Sequence, residues 1–455
     1  MGRSKYDYDV IVIGGGAAGT VAAEVAQRAG KKVALIERES LGGSVPVKSD
    51  IPLGALMTAA HALDDAHRAS AFGLRTGNIG YNFPSLQNWK NLAIKRSGVR
   101  ATADQLKSVG VEVFHGRAHF LSHNEISIGR RHLTSEKFII ATGSKVLIPN
   151  IVGLDTVDFL TSETAIDLMK PPKSLVIVGA GATGTQFAEF FSIFGTKVYL
   201  IDAKKRILPR FDEEVSELFQ NLFAKVRDME IITSSRVTSV QNKGASVAVT
   251  YLSGDTEHTV SVESVMLATG LSPETDLGSE NAGVEYNKEG IVVDEYLQTS
   301  ARNIWAAGNV LGRFGDAHMA VYDGKIAARN LVGQTKTPVN YGAMPHLLWL
   351  NPGVAVVGAT EAELIRNDIK YRAVIVQNSV IARANTANFA VGFTKILKSH
   401  RGTILGATII CPNAGEMVGE LALAIKYGLN VAQIADVVHP FGSWSEVVRL
   451  ACVKL

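Results

Sequence analysis

The sequence predicts an α/β protein in which one strand–turn–helix–strand unit occurs twice. In each copy an apolar, β-branched run leads into a glycine-rich turn, a helical segment follows, and a second apolar run ends in an acidic residue. The glycines are Gly14, Gly16 and Gly19 in the first copy and Gly179, Gly181 and Gly184 in the second, and the acidic residues are Glu37 and Asp202. The first glycine and the acidic residue are 23 positions apart in both copies (14 to 37, and 179 to 202). This repeated spacing indicates an internal structural duplication.

These residue types are typical of Rossmann-like dinucleotide-binding units. The first glycine permits a tight turn, the second lets the backbone approach a pyrophosphate, and the third packs the helix against the strand. The N-terminus of the helix then offers free N–H groups to the phosphate oxygens. Glu37 and Asp202 can each accept hydrogen bonds from a ribose. Two such sites in one chain favour two different dinucleotides, and FAD with NAD(P) makes a complete redox pair.

The residues that follow the second acidic position leave the choice of nicotinamide nucleotide open. Asp202 would repel the 2′-phosphate of NADPH and therefore favours NADH. However, Lys204, Lys205 and Arg206 follow directly and could bind that phosphate. We predict NADH as the preferred donor, with NADPH as the alternative.

Length and composition indicate two or three folded domains. The chain has 455 residues, 46% of them hydrophobic and 20% charged, and its net charge is +3. The basic residues Lys90, Lys95, Arg96 and Arg100 have helical spacing and are interpreted as a solvated helix face, so no nucleic-acid partner is predicted. Residues 10–13 are too short for the apolar core of a signal peptide, and no run of 18 residues is apolar without interruption. A cytoplasmic protein without a membrane partner is predicted.

The two cysteines, Cys411 and Cys452, lie far along the chain from both glycine motifs. Two cysteines make neither a disulfide framework nor a zinc site by themselves, and no metal site is predicted. Cys411 follows a mostly apolar run and is interpreted as a small buried hydrophobic residue.

Three further stretches make the chain similar to a known family. Phe138–Ser144 and Val265–Leu271 are strand-to-turn segments that close the two nucleotide units, and Asn303–Val310 followed by Ala317–Gly324 looks like a second FAD-binding segment. Together with the glycine motifs they resemble the pyridine nucleotide–disulfide oxidoreductases. The resemblance runs from residue 8 to about residue 450, nearly the whole chain.

The resemblance implies three domains. Residues 1–150 and 270–335 are expected to form an FAD-binding domain, with an NAD(P)-binding domain of residues 151–269 inserted into it. Residues 336–455 are expected to form an α+β dimerisation domain, which implies a homodimer.

The resemblance also implies cofactor-binding positions beyond the glycine motifs. These are Gly43, Ser44, Thr142, Gly143, Gly270, Gly308, Asn309, Ala317 and His318. Asn309 stands where the family has an aspartate that holds the ribityl chain of the flavin, so a hydrogen-bonding group is kept and a charge is lost.

The segment after Glu37 departs from the family. The family carries two redox-active cysteines here, and this chain has Val45 and Asp50 in their places. Neither residue can form or exchange a disulfide, which requires a thiolate. The family's lysine and glutamate, which form an ion pair beside the flavin, are Gly54 and Gln186 here.

The C-terminal segment departs as well. The family pattern ends in His-Pro-Thr-x-Ser-Glu, in which the histidine is the acid–base group and the glutamate orients it. Gap-free alignment on Ser445 and Glu446 puts Phe441 at the histidine position, with His439 two residues earlier. The candidate acid–base groups beside the flavin are Asp50, Lys48, His439 and Glu446, of which Asp50, His439 and Glu446 are predicted to be catalytic. The alternatives are that Asp50 caps a helix and that His439 is a loop residue.

These observations predict an enzyme rather than a binding module. The expected reaction passes a hydride from NADH to flavin and then electrons to a non-disulfide acceptor, such as a quinone, a nucleotide, oxygen or a small organic substrate. The alternative is a non-catalytic flavin-binding dimer used for sensing or assembly. An intact NAD motif argues against that alternative, because a scaffold needs no site for a reductant.

Overall fold

The computed structural model describes residues 5–313 and 315–455, and the side chains of all of these except residues 99–103. The β-strands are β1 (Tyr8–Ile13), β2 (Val33–Glu37), β3 (Glu112–His115), β4 (Ala118–Ser122), β5 (Glu125–Ile128), β6 (Arg131–Ile140), β7 (Ser144–Val146), β8 (Leu160–Thr161), β9 (Ser174–Val178), β10 (Lys197–Ile201), β11 (Glu230–Ile232), β12 (Ser235–Asn242), β13 (Val247–Ser253), β14 (Thr256–Val262), β15 (Ser264–Leu267), β16 (Leu271–Pro273), β17 (Tyr286–Asn287), β18 (Gly290–Ile291), β19 (Ile304–Ala306), β20 (Pro345–Leu348), β21 (Gly353–Gly358), β22 (Tyr371–Gln377), β23 (Phe393–Ser399) and β24 (Ile404–Cys411). The α-helices are α1 (Ala17–Arg28), α2 (Ser44–Val47), α3 (Asp50–Arg68), α4 (Phe83–Arg96), α5 (Val99–Ser108), α6 (Ser162–Ala165), α7 (Ala182–Ile193), α8 (Glu213–Val226), α9 (Ala317–Val332), α10 (Glu361–Arg366), α11 (Ala382–Thr386), α12 (Ala414–Tyr427), α13 (Val431–Asp436) and α14 (Glu446–Val453).

The chain divides into two compact units. Unit 1 comprises Met1–Ala55, Ser85–Ile148 and Gly270–Val339, and unit 2 comprises Leu56–Pro84, Pro149–Thr269 and Asn340–Leu455. Along the described residues, none of the helices combines the length and the apolar character that a membrane crossing needs.

Unit 1 is built around a sheet in the order β3-β2-β1-β6-β5-β4, with β19 also paired to β6. Strands β3, β2, β1, β6 and β19 run parallel. Helices cover the sheet, so the residues of β1, β2 and β19 and the carboxyl end of β6 are nearly all buried, whereas β3 at one edge is partly exposed. In this register Ile13 lies beside Ile36 and Ile140, and Ala306 also pairs with Ile140. The carboxyl ends of β1, β6 and β19 therefore meet at one edge, where each strand is followed by a glycine-containing turn.

Unit 2 contains two main sheets. The first is parallel, in the order β11-β10-β9-β15-β8, and carries α7 against β9 and β10. The second is antiparallel, in the order β20-β21-β24-β23-β22, and is covered by α12 and α14. An apolar core fills the space between this second sheet and its helices, and it includes Ile409, Leu421 and Val447. This arrangement is an α+β layer next to a Rossmann-like sheet.

The predicted solvated face of residues 90–100 is wrong in part. Lys95 and Arg96 are exposed as expected, but Lys90 is only 3% exposed. In α4 the residues Phe83, Gln87 and Lys90 recur at i, i+4 and i+7, and all three belong to the buried face of the helix. Charge spacing alone did not reveal this face. The side chain of Arg100 lies outside the described residues.

Candidate functional site

The first glycine loop joins β1 to α1 at the sheet edge of unit 1. Gly14 has a φ of +104°, and a methyl group added there would lie 2.2 Å from the carbonyl oxygen of Ala141. A methyl group on Gly19 would lie 1.8 Å from the carbonyl oxygen of Gly14, so the helix packs on the strand at a distance that only glycine permits. Glu37 Oε2 accepts a hydrogen bond from Gly15 N–H at 2.6 Å. The acidic residue thus lies against the loop.

The second glycine loop has the same construction in unit 2. Gly179 has a φ of +106°, and a methyl group there would lie 2.4 Å from the carbonyl oxygen of Ala268. The same addition at Gly184 would lie 1.8 Å from the carbonyl oxygen of Gly179. Asp202 Oδ2 accepts a hydrogen bond from Ala180 N–H, again at 2.6 Å. The two copies therefore agree in geometry as well as in spacing.

The middle glycine of each loop is different because it has open space beside it. A methyl group on Gly181 would meet nothing within 4 Å, and one on Gly16 would meet only the Cα of Gly43 at 3.9 Å. Glycine here is not required by the packing of the protein itself. It leaves bare backbone at a helix N-terminus, which fits the close approach of a pyrophosphate. Both sites therefore fit a dinucleotide.

Two other segments of unit 1 lie beside the first loop. Gly42 N–H donates to the carbonyl oxygen of Gly15 at 2.7 Å, and a methyl group on Gly43 would lie 2.8 Å from the Cα of Gly16. On the other side, a methyl group on Gly308 would lie 3.0 Å from the Cβ of Ala18. Ser44, the first residue of α2, is exposed. The structure therefore brings together the first loop, residues 42–44 and the turn at Gly308.

The remaining predicted residues of unit 1 lie in a short ribbon and at the start of α9. Strand β7 pairs with β16, and beside this ribbon Thr142 Oγ1 donates to the carbonyl oxygen of Glu274 at 2.6 Å. The carbonyl oxygen of Gly143 accepts from Glu274 N–H at 3.0 Å, and that of Gly270 accepts from Leu147 N–H at 2.9 Å. Asn309 Nδ2 donates to Ser144 Oγ at 3.3 Å. Ala317 and His318 are the first two residues of α9.

Asp50 is the first residue of α3 and is half-buried. Burial raises the pKa of its carboxyl group, and this effect outweighs the hydrogen bond that Ser49 Oγ donates to Asp50 Oδ2 at 2.6 Å. The negative charge of Asp316 raises the pKa of Asp50 further, and His318 acts in the opposite direction. A predicted acid–base residue and a predicted cofactor-binding residue are thus electrostatic neighbours.

His439 and Glu446 do not pair with each other in the structure. His439 Nε2 lies 3.1 Å from Glu420 Oε1, its Nδ1 lies 3.0 Å from the carbonyl oxygen of Val437, and its side chain is 5% exposed. Glu446 begins α14, and its Oε2 is buried. In contrast, Phe441 is 87% exposed. Sequence reasoning missed Glu420 because 19 residues and a helix separate it from His439.

The two cysteines are buried in the core of unit 2. Cys411 is 0% exposed and Cys452 is 3% exposed, which confirms the interpretation of Cys411 as a small core residue. Burial raises the pKa of both thiols to about 12. Both are therefore protonated and unreactive at neutral pH.

The three basic residues that follow Asp202 differ in exposure and in whether their side chains are held by a hydrogen bond. The two oxygens of Asp202 accept from Ala180 N–H and from Lys204 N–H at 2.6 and 2.7 Å. Lys204 and Lys205 are exposed, whereas Arg206 Nη1 donates to the buried Ser216 Oγ at 2.9 Å. The guanidinium of Arg206 is therefore held by helix α8.

Two polar groups of the structure were not predicted from the sequence. Asp323 is 1% exposed, and its Oδ2 accepts from Gly308 N–H at 3.2 Å, so it fixes the turn that carries Asn309. The available signal was an aspartate inside Ala317–Gly324, which the sequence already assigned to the second FAD-binding segment. The second group is an acidic cluster around the buried Lys395, formed by Asp212, Glu214 and Glu361. The ammonium group lies among these carboxylates and balances part of their charge, so we assign the cluster a structural role.

Comparison with known proteins agrees with this geometry. The family model described as pyridine nucleotide-disulphide oxidoreductase matches residues 8–324, and the model of the dimerisation domain of that family matches residues 344–452. A dihydrolipoyl dehydrogenase of Bacillus subtilis (strain 168) is 31% identical over 459 residues, which cover 99% of this chain and 97% of the relative. A mercuric reductase of Streptomyces lividans is 31% identical over 461 residues, with the same coverage of both chains.

Solved structures show the same fold along the whole chain. The HOCl-induced flavoprotein disulfide reductase RclA from Escherichia coli superposes with a TM-score of 0.87 at 26% identity and covers 98% of this chain and 99% of its own. LpdA from Mycobacterium tuberculosis gives a TM-score of 0.88 at 24% identity with the same coverage. With its two glycine loops and its C-terminal α+β layer, this chain belongs to the pyridine nucleotide–disulfide oxidoreductase family, whose members are flavoproteins that bind FAD and NAD(P)H and carry a dimerisation domain.

Proposed function

We propose that this chain is an FAD-dependent NADH oxidoreductase whose electrons pass to an acceptor other than a disulfide. A quinone, a nucleotide, oxygen or a small organic substrate is the proposed acceptor class. One observation carries the proposal: Val45 and Asp50 stand at the positions of the family's redox cysteines, and the only two thiols of the chain are buried in the core of unit 2. A dithiol relay needs a thiolate, which these residues do not supply.

In this proposal each of the two glycine loops binds one of the two nucleotides. The loop at Gly16 with Glu37 would hold FAD, together with the predicted residues at Gly43, Gly308 and Asn309. The loop at Gly181 with Asp202 would hold the nicotinamide nucleotide. FAD, when bound, accepts two electrons from the nicotinamide and passes them to the acceptor. The boundaries that we propose remain residues 1–150 and 270–335 for the FAD domain, 151–269 for the NAD(P) domain and 336–455 for the dimerisation domain.

The arrangement around Asp202 supports NADH over NADPH. Its carboxylate stands at the end of β10, where a 2′-phosphate would be repelled. Arg206 is held by Ser216 Oγ and would have to give up that hydrogen bond to reach a phosphate. Lys204 and Lys205 are the exposed cations that keep NADPH as the alternative.

Asp50 is the proposed proton donor to the acceptor. Reduction of a quinone or a conjugated substrate requires protons as well as electrons, and a carboxyl group with a raised pKa keeps its proton to a higher pH than a solvated aspartate does. His439 is less suited to this role in the free chain, because its ring is buried against Glu420. We therefore propose that His439 and Glu446 stabilise the C-terminal segment and do not donate the proton.

The test measures turnover with several electron acceptors, first for the wild-type protein and then for a variant that lacks both cysteines. Under anaerobic conditions NADH should bleach the flavin absorbance, and added quinone should restore it over many turnovers. Lipoamide and glutathione disulfide should give no turnover. The double variant Cys411→Ala/Cys452→Ala should reduce quinone at the wild-type rate, since neither thiol takes part.

Two outcomes would contradict the proposal. Turnover of either disulfide at the rate of quinone turnover would show that electrons leave through sulfur. Flavin absorbance that neither NADH nor NADPH changes would favour the non-catalytic dimer instead.

A further inference from the structure

Helix α7, which carries the second glycine loop, also carries a buried carboxylate outside the proposed nucleotide site. The side chain of Glu189 is fully buried. Its Oε2 accepts a hydrogen bond from Asn351 N–H at 3.0 Å. One turn earlier, Gln186 Oε1 accepts from Trp349 N–H at 2.8 Å. Two side chains of α7 therefore hold the segment that leads from β20 to β21.

Arg227 connects this carboxylate to helix α3. It caps the C-terminus of α8, and its side chain is only 9% exposed. Its Nη1 and Nη2 donate to the two carboxylate oxygens of Asp64 on α3 at 2.6 and 2.9 Å. Nη2 also lies 3.5 Å from Glu189 Oε1. Asp64, Glu189 and Arg227, together with Asn351, are called the Arg227 cluster below.

The charges of the Arg227 cluster support one another. Burial alone would raise the pKa of Asp64, but the hydrogen bonds and the charge of Arg227 lower it overall. Burial alone would lower the pKa of Arg227, and the two carboxylates raise it overall. Asp64 and Arg227 therefore both remain charged at neutral pH. A planar guanidinium that donates two parallel hydrogen bonds fixes orientation as well as distance.

The cluster is one of the contacts that hold α7. This helix begins next to Gly181, where the nicotinamide nucleotide would bind, and its interior residue Glu189 is tied through Arg227 to α3. Because a helix is rigid over so few turns, a shift at Glu189 moves the glycine loop with it. The loop would keep its contacts to the nucleotide, and the direction of the nucleotide would change.

We propose that Arg227 is a positioning residue for electron transfer from NADH, which acts by fixing α7 on α3 through Glu189 and Asp64. This inference rests on the proposed function. Transfer rates depend steeply on the geometry of the reacting atoms, and a displacement of about 1 Å costs about 100-fold in rate. Affinity depends on the loop and on Asp202, whose Oδ2 accepts a hydrogen bond from Ala180 N–H of that loop. Loss of Arg227 should therefore lower the rate far more than the affinity.

The experiment is anaerobic stopped-flow reduction of the bound flavin by increasing NADH. In Arg227→Met the limiting rate should fall at least about tenfold, while the Kd for NADH stays within about threefold. Arg227→Lys keeps the positive charge but loses the planar group that donates two parallel hydrogen bonds, and it should give an intermediate rate. The matched control is Arg372→Met, which removes an exposed arginine of β22 and should behave as wild type.

A milder variant protects the test against misfolding. Asp64→Asn keeps an acceptor oxygen for the guanidinium and should lower the limiting rate about threefold to tenfold at unchanged Kd. Wild-type limiting rates in folded, flavin-loaded Arg227→Met or in Asp64→Asn would overturn the inference. A loss of affinity as large as the loss of rate would overturn it as well. Failure of NADH to reduce the wild-type protein would instead overturn the proposed function and, with it, this inference.

Discussion

Asp50 shows how one substitution changes the chemistry that a position can perform. A cysteine at this position of the family exchanges disulfides, whereas a carboxyl group can only bind, give or take a proton. The structure places Asp50 at the first position of α3, half-buried and near Asp316. Burial and the neighbouring negative charge both raise its pKa. The residue is thus suited to hold a proton rather than to stabilise a charge.

Replacement of Asp50 by asparagine should separate electron transfer from proton transfer. In Asp50→Asn, kcat/KM for a quinone should fall by about 100-fold, the lower end of what a positioned general acid contributes. Wild-type activity should be highest at acid pH and decline as the pH rises through the raised pKa of Asp50, because the proton is lost there. The variant should lack this decline. Steady-state rates across a pH series measure both effects.

A one-electron acceptor that takes up no proton provides the control. With ferricyanide the same variant should lose far less activity than with the quinone. An unchanged pH profile in Asp50→Asn would show that another group delivers the proton. The stability of the protein provides a second test of the raised pKa of Asp50. A carboxyl group with a raised pKa in the folded state contributes stability below its unfolded pKa, and this contribution is lost as the pH rises through the folded pKa. The asparagine variant should therefore be the more stable protein at neutral pH.

Residues differ in how far the sequence predicted them. The tight turns at Gly14 and Gly179 follow from local spacing. The carbonyl oxygens that leave no room for a side chain at these two glycines belong to distant segments of the chain. The partner of His439 and the burial of Lys90 depend on which helix faces pack inward. Arg227 meets Asp64 across 163 positions of sequence, and no local pattern marks either residue. Contacts at such separations are products of the tertiary fold.

At the level of the element, each strand–glycine loop–helix unit separates packing from binding. The outer glycines are required because any side chain would collide with backbone, whereas a side chain on the middle glycine would meet no close neighbour within the protein itself. The strand, turn and helix of each unit were predictable from their spacing because they follow one another in the chain, whereas the backbone that packs on the first glycine comes from a distant segment. The C-terminal layer was predicted only by resemblance, because its antiparallel sheet joins strands that local periodicity does not order.

This separation predicts opposite behaviour for two alanine variants of the second loop. Gly184→Ala should lower the free energy of unfolding by at least about 3 kcal/mol, because its methyl group would lie 1.8 Å from a carbonyl oxygen. Gly181→Ala should change stability by no more than about 1 kcal/mol. It should nevertheless raise the Kd for NADH at least tenfold, about 1.4 kcal/mol, because the methyl group enters the space that the pyrophosphate needs. Urea unfolding and fluorescence titration with NADH measure the two quantities. Equal effects of both variants on stability would contradict the assignment.

At the level of the whole molecule, the C-terminal layer carries the match to a dimerisation domain, which supports a homodimer. Around His439 the segment exposes apolar side chains, with Val438 at 92% and Phe441 at 87%. The pairing of His439 with Glu420 holds the segment in place so that these side chains point outward. Exposed side chains of this size are costly in a monomer, and burial against a second copy would remove them from water.

Loss of one of these side chains should weaken the dimer. Burial of a phenylalanine contributes about 1.5–3 kcal/mol, and a two-fold dimer buries two copies, so Phe441→Ser should raise the dimer Kd at least about 100-fold. Sedimentation at decreasing protein concentration measures this change. Ile365→Ser on α10 is the control, because Ile365 is 67% exposed and lies outside this segment. An undisturbed dimer in Phe441→Ser would place the interface elsewhere.

The burial of Cys411 and Cys452 has a consequence for how the protein withstands oxidants. With the pKa of both thiols raised to about 12 by burial, both stay protonated at neutral pH, and the core also screens them from reagents. Peroxide, hypochlorous acid and alkylating agents inactivate enzymes chiefly through accessible thiolates. Neither cysteine of this chain offers such a point of attack, so we expect reagents of this kind to leave its activity largely unchanged.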